Sequence, residues 1–303
     1  VVSVILVIPC IGIFLLHHFM LKGKAYTTIV GKPMAVEPRE MNVPIKVVSI
    51  LICALVAMGI LCTFVVTVVS SFTVLVGVIN TFTWKHMSSY VGFEALLTSL
   101  KVSLAAGIMG AVMGTILAYV LMRGNIWGRN LMEFLALAGF ALPGTVLGIG
   151  YVLAFNAPPF LLTGTLMIIV VVLVFHTLAV PVETGISKLH QISIELEEAS
   201  ADLGGRVLTT FRRIVFPLLI SAFVAGFVYT FMFSMVNVSA PILLISPGKM
   251  LASVYIFQMA QLGKMGIASG IALYLIMSVA ISLFVLRFVL SKLGVSITGT
   301  GRE

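Results

Sequence analysis

The chain has 303 residues, 60% of them hydrophobic and only 9% charged, with a mean hydropathy of +1.21. A soluble globular domain carries about 25% charged residues, so that class is excluded. The net charge of +8 is explained by the uneven loops described below, and no basic, aromatic patch on a soluble segment points to nucleic acid.

In chain order, apolar runs cover residues 1–20, 45–71, 95–122, 131–155, 160–185, 214–236 and 267–290. Runs of about 20 apolar residues are long enough to cross a bilayer as helices, which predicts an all-α polytopic membrane protein. The first run begins without Met and without a charged leader, so residues 1–20 read as the last span of a preceding unit. Residues 21–45, with Pro33, Pro38 and Pro44, read as a cytoplasmic linker. The main transmembrane domain is then 46–291, with about six spans, followed by a cytoplasmic tail at 292–303.

Most of the 18 basic residues fall on one side of these spans, and the other side holds only Lys85, Lys101, Lys249 and Lys264. The basic side is cytoplasmic, because positively charged loops are retained there during insertion. Lys101 and Glu183 lie near span ends, where long side chains reach the interface. Cys10, Cys53 and Cys62 all sit inside apolar runs. On one helix Cys53 and Cys62 are about 13 Å apart, too far for a disulfide.

Small residues recur at four-residue spacing in Ala106/Gly110/Gly114, Gly144/Gly148 and Gly266/Gly270. Such repeats let membrane helices approach closely. Short connections at 124–130 and 156–159 predict antiparallel neighbours. The outer segment 237–266 contains Pro241, Pro247 and "LASVYIFQMAQLG", the last predicting a short amphipathic helix near the surface.

The most polar stretch lies between two apolar runs, at 188–213. A helix over 191–203 places Ile192, Leu196, Ala199 and Leu203 on an apolar stripe, with Glu195, Glu198 and Asp202 on another face. Ser193 is the candidate N-cap, the carboxylates sit where the helix dipole favours them, and Gly204-Gly205 ends the helix. A second amphipathic turn carries Val207, Phe211 and Ile214 opposite Arg206, Arg212 and Arg213, and Pro217 leads into the next span. Periodicity alone fits either a rigid knob for a protein partner or an amphipathic connector lying on lipid headgroups.

The pattern Glu198-Ala199-Ser200, three residues, Gly204, nine residues, Ile214, one residue, Phe216-Pro217 resembles the EAA signature of ATP-binding-cassette (ABC) importer permeases. Ser200 stands for the second Ala and Phe216 for Leu. The resemblance implies a type I importer transmembrane fold in the bacterial inner membrane. It also implies a coupling loop in which Glu198, Ala199, Ser200, Asp202, Leu203, Gly204, Ile214 and Pro217 meet a cytoplasmic ATPase. "FALPGTVLGIGYVLAFN" at 140–156 and "VNVSAPILLISPGKMLASVYIF" at 236–257 resemble the ferric-iron branch. Members of that branch often carry two permease units in one chain, which makes this chain the expected C-terminal unit of such a pair. Phosphonate, polyamine and thiamine permeases share much of this wording and remain alternatives for cargo.

The implied partners are ABC ATPase subunits, an extracytoplasmic substrate-binding protein and a second permease unit, in the same chain or as a homodimer. The chain holds no Gly-x4-Gly-Lys-Ser/Thr phosphate loop, so ATP and Mg are expected on the ATPase subunit. The chain itself is expected to be a non-catalytic subunit without a cofactor or metal of its own. His176, deep in an apolar run, is either functional or a neutral ring bonded to a neighbouring helix. Asn237 and Ser239 are candidate pathway residues with it, or else partners of backbone freed by Pro241 and Pro158. The 16 methionines are scattered and read as packing rather than a soft-metal path. A secondary transporter would place acidic residues at span centres, and a membrane enzyme would show paired His or carboxylates. The sequence carries neither pattern.

Overall fold

In the computed structural model of the chain, residues 43–124 and 126–292 are described, together with Gly12. The expected first span at 1–20 (Gly12 apart), most of the linker and nearly all of the tail lie outside the described residues. Among the described residues, four helices are long and apolar enough to cross a membrane, and two bent helix pairs bring the crossings to as many as six.

Helix α1 (Val43–Phe72) starts inside the expected linker, with Pro44 in its first turn, where a missing N–H costs nothing. It is apolar all round and exposed up to its last turn, where Ser70 and Ser71 are buried. At its outer end a small hairpin, β1 (Thr73–Leu75) and β2 (Ile79–Phe82), pairs antiparallel, with Thr73 opposite Phe82 and Leu75 opposite Ile79. Gly77 turns it at a φ of 81°, its N–H donating to Asn80 Oδ1 at 2.9 Å.

Helix α2 (Tyr90–Arg123) returns to the cytoplasmic side, starting a turn earlier than predicted because Ser89 caps it by accepting from the Gly92 N–H. The predicted span at 131–155 is not one helix. It divides into α3 (Arg129–Ala141) and α4 (Gly144–Phe155), which meet at 116°. Pro143 is the cause, since proline forces the preceding Leu142 into extended geometry and cannot continue the ladder. The run predicted at 160–185 starts later and extends further, as α5 (Leu166–Thr177) and α6 (Ala179–Leu189), bent by 46° just ahead of Pro181.

After the cytoplasmic segment 190–206, a continuous helix runs from Val207 to Val236. It consists of α8 (Val207–Thr210), a widened π-type turn (Phe211–Val215) and α9 (Phe216–Val236). The short helix between α6 and α8 is α7 (Glu195–Asp202). Pro217 follows the widened turn, which relieves its ring of a clash with the carbonyl four residues earlier. The outer segment forms α10 (Ala252–Gln261), and α11 (Met265–Lys292) crosses back. As predicted, the outer segment is helical. Its first turn is buried rather than superficial, with the Ala252 N–H donating to Ser99 Oγ at 2.7 Å and Tyr255 Oη 2.9 Å from Ser89 Oγ.

Each small-residue repeat marks a close approach. A methyl group on Gly110 would lie 3.0 Å from Thr230 Cγ2, and one on Gly114 would strike Pro181. One on Gly226 would lie 2.9 Å from Pro181 Cβ, and one on Gly185 would lie 2.6 Å from Ala118 Cβ. Thus α2, α6 and α9 close on one another around Pro181. Gly148 leans on the Ala240 carbonyl and Gly270 on that of His86 in the same way.

This packing makes a test. Gly114→Val should lower the thermal midpoint in detergent, since overpacking costs about 1–3 kcal/mol. Gly59→Ala on α1, where nothing lies within 4 Å, should leave the midpoint unchanged or raise it slightly. Equal behaviour of the two variants would contradict the packing.

Candidate functional site: a cytoplasmic knob and a buried polar hub

The polar segment between α6 and α8 folds as a knob. Its helix α7 starts later than the predicted 191–203, and Ser193 is not its N-cap. Ile194 holds that position without a side-chain cap, and Ser193 lies one residue earlier, accepting from the Glu195 N–H at 3.3 Å in the turn that leads in. Ile192 is buried with Ala118, Leu189, Val215 and Leu219 at the foot of the bundle. The rest of the expected apolar stripe does not follow it inward. Leu196 and Ala199 are exposed, and Leu203 is 90% exposed. Val207 and Leu208 on α8 are exposed too, at 72% and 77%, and Leu208 faces a groove on the flank of the bundle with Ile116, Phe216 and Phe223. Glu195, Glu198 and Asp202 are exposed as their spacing implied.

The turn behind α7 needs both glycines. Gly204 has a φ of 83°, which side chains on Cβ disfavour. A Cβ on Gly205 would strike Ser200, whose carbonyl accepts the Gly205 N–H at 2.8 Å. Ser200 Oγ also lies 2.8 Å from Thr210 Oγ1. The hydroxyl at the position where the EAA pattern has alanine therefore ties α7 to α8. Ile214 is half-buried in the widened turn and Pro217 is exposed on the first turn of α9. The structure thus gathers Glu198 to Gly204 at the tip of the knob and leaves Ile214 and Pro217 on the helix behind it.

Sequence periodicity overlooked Glu197. Its Oε1 accepts from Arg123 Nε at 2.8 Å and its Oε2 from the Tyr119 hydroxyl at 3.0 Å, so both carboxylate oxygens are engaged. The side chains of Arg123 and Glu197 are only 15% and 13% exposed. Arg123 also donates through Nη2 to the carbonyl oxygens of Ile192 at 2.9 Å and Leu189 at 3.4 Å. Tyr119 stacks obliquely on Phe211, with ring centroids 4.8 Å apart. The available signal was Arg123 in the last turn of a span. Its acceptor lies 74 residues away, beyond any local pattern.

A second polar group unites His176, in the last turn of α5, with Asn237 and Ser239, which directly follow α9. Asn237 Nδ2 lies 3.4 Å from His176 Nδ1, while its Oδ1 accepts from the Ser239 hydroxyl at 3.2 Å and the Ala240 N–H at 3.3 Å. An amide nitrogen only donates, so Nδ1 accepts and the neutral ring carries its proton on Nε2. The Asn237 carbonyl accepts from Ser253 Oγ at 2.8 Å, and His176 stands edge-on to Phe233 at 5.1 Å. Asn237 thereby joins α5, the end of α9 and α10. Among the described residues, no three His, Cys, Asp or Glu side chains are grouped to hold a metal ion.

A bent-helix bundle with a cytoplasmic knob defines the class. The fold is that of the type I ABC importer permeases, matching a bacterial ABC transporter involved in the import of the acidic polysaccharide alginate. That match has a TM-score of 0.57 at 16% identity, over 82% of this chain and 99% of that one. Residues 107–293 match the family described as binding-protein-dependent transport system inner membrane component, and the chain belongs to that family. It is an inner-membrane transport subunit of the permease type.

Among relatives, the ferric transport system permease protein FbpB of Actinobacillus pleuropneumoniae is 30% identical over 280 residues, covering 90% of this chain and 41% of that one. The sulfate transport system permease protein CysT of Salmonella typhimurium is 28% identical over 229 residues, covering 71% of this chain and 83% of that one. The chain therefore spans about two fifths of the length of the ferric-transport relative.

Asn237→Ala would strand the Ala240 N–H and His176 Nδ1 in a buried site. An orphaned buried polar group costs about 1–3 kcal/mol, so the thermal midpoint should fall clearly below that of wild type. Ser187→Ala, on the cytoplasmic half of α6, should have little effect. An unchanged midpoint in Asn237→Ala would remove the hub as a structural unit.

Proposed function

We propose that the chain is the permease subunit of an ATP-driven, binding-protein-dependent importer, with ferric iron as its cargo. The observation that carries the importer reading is the knob. A short helix fixed by hydrogen bonds at its base presents Glu198, Asp202 and a nearly fully exposed Leu203 to the cytoplasm. A connector lying on lipid would instead turn its apolar stripe toward the bilayer and spread its charge along the opposite face. Leu203 stands 90% exposed directly after Asp202, an apolar side chain left uncovered beside acidic ones, as a protein-docking surface requires.

In this reading the ATPase subunits hold ATP and Mg. Their closure displaces the knob, and the bundle passes the displacement on as alternating access. An extracytoplasmic binding protein delivers cargo to the outer loops, and a second permease unit, in the same chain or as a homodimer, completes the pathway. The hub of His176, Asn237 and Ser239 sits beside the bend in the α5–α6 span, midway along it, and there it shapes the wall of the pathway through the Pro241 turn. The cargo rests on the 30% identity to the ferric permease along most of this chain. Sulfate is the second reading, favoured by the likeness to CysT, and phosphonate a third.

Two experiments test these layers separately. Burial of a leucine side chain contributes about 1.5–3 kcal/mol, so Leu203→Ala should weaken ATPase binding by roughly tenfold or more. Gly204→Asp and Glu198→Lys should abolish co-purification of the ATPase while the protein remains in the membrane. Undiminished co-purification and uptake in these variants would end the coupling reading. For cargo, iron-starved cells lacking the gene should lose uptake of radioactive ferric iron and keep that of sulfate and phosphonate. Loss of sulfate uptake alone would keep the permease and reject iron.

A further inference from the structure

Helix α7 has eight residues and buries none of them, and a helix so short is not stable on its own. Its connections are turns closed by backbone hydrogen bonds, from the Ile192 N–H to the Leu189 carbonyl at 3.2 Å ahead of it and from the Gly205 N–H to the Ser200 carbonyl at 2.8 Å behind it, and buried Ile192 anchors the first. Two side-chain attachments act on the helix itself, Ser200 to Thr210 on α8 and Glu197 to α2.

The second attachment is the more constraining. Arg123 on α2 binds the Glu197 carboxylate, while its Nη2 holds carbonyls at the end of α6 and in the segment leading to α7. One guanidinium thus clamps three elements. Tyr119 occupies the other carboxylate oxygen, so the carboxylate cannot rotate about its plane without losing a bond. The group is mostly shielded from water, where charged hydrogen bonds are stronger and less exchangeable than on an open surface. Above the clamp, α2, α6 and α9 are locked by the Gly114, Gly185 and Gly226 contacts.

We propose that Arg123, Tyr119 and Glu197 form a latch that makes the knob a rigid extension of the α2/α6/α9 block. The neighbouring glutamates then divide the work, Glu198 facing the ATPase and Glu197 facing inward as a positioning residue. This inference rests on the coupling reading for its purpose, but not for its geometry. With the latch intact, displacement of the knob enters the bundle through α2 as well as through the chain connections. Without it, α7 pivots at the glycine turn and the displacement dissipates locally.

The test is a distance distribution between spin labels at Glu195→Cys on the knob and Ile116→Cys on α2, both exposed positions. It uses the full-length protein with Cys10, Cys53 and Cys62 replaced by Ala. The distribution should be narrow in the otherwise unaltered protein, clearly widened in Glu197→Ala, intermediate in Glu197→Gln, and as narrow as the parent in Glu198→Ala. In the complete transporter, Glu197→Ala should retain the ATPase and ATP hydrolysis while losing uptake. A narrow distribution in Glu197→Ala, or equal widening in Glu198→Ala, would overturn the latch.

Tyr119→Phe keeps the ring against Phe211 and removes one hydrogen bond, so it guards against a variant that fails to fold. It should widen the distribution modestly, and no widening would also count against the proposal. Because the distances are read without the ATPase, failure of the latch is separable from failure of the docking reading, which the Glu198→Lys pull-down reports.

Discussion

Pro181 is the point on which the bundle turns. Gly114 of α2 and Gly226 of α9 both rest against it, and its ring bends the α5–α6 pair as it enters the contact. In a bilayer, lipid tails are as apolar as leucine, so helices gain nothing by merely hiding hydrophobic surface from one another. They associate where backbones come close enough for dense van der Waals contact. Three helices meeting on one proline through glycines satisfy that condition, and they form the most firmly joined part of the described structure. The lipid-exposed α1 lies to one side of this block, packed along α11.

The placement of polar groups follows from the same constraint. Thr177 meets Thr230 inside the bundle, and Ser99 of α2 accepts from the first N–H of α10, whereas the buried hydroxyls of Ser103 and Ser234 have no partner among the described residues. At the bend of the α5–α6 span Asn237 gathers three elements through one amide and one carbonyl. Below it, at the end of α2, Arg123 does the same with one guanidinium. Between this clamp and the cytoplasm stands the knob, whose apolar tip has no partner within its own bundle.

Much of this was legible in the sequence. Hydropathy located most of the spans, and the small-residue repeats at Gly110, Gly114, Gly148 and Gly270 marked real close approaches. The EAA-like pattern led to the knob and its glycine turn. The failures have physical reasons. Hydropathy averages over a window and so merged α3 with α4, although Pro143 stood in the run and proline breaks the ladder wherever it falls. The hairpin after α1 is as apolar as a span and gave no contrast. Helical periodicity sorted Glu195, Glu198 and Asp202 onto one face and passed over Glu197, whose partners come from a distant helix. The same limit hid the union of His176 with Asn237, residues brought together only when α5 and α9 pack.

The central claim is that the knob meets an ATP-hydrolysing subunit rather than the membrane surface. Its most direct test is a photoreactive amino acid placed at Leu203 in the intact protein in living cells, followed by identification of the captured molecule. The account predicts a cross-link to a subunit that carries a phosphate-binding loop, with capture lost on Gly204→Asp. Capture of lipid alone at Leu203, with no such subunit attached, would contradict it.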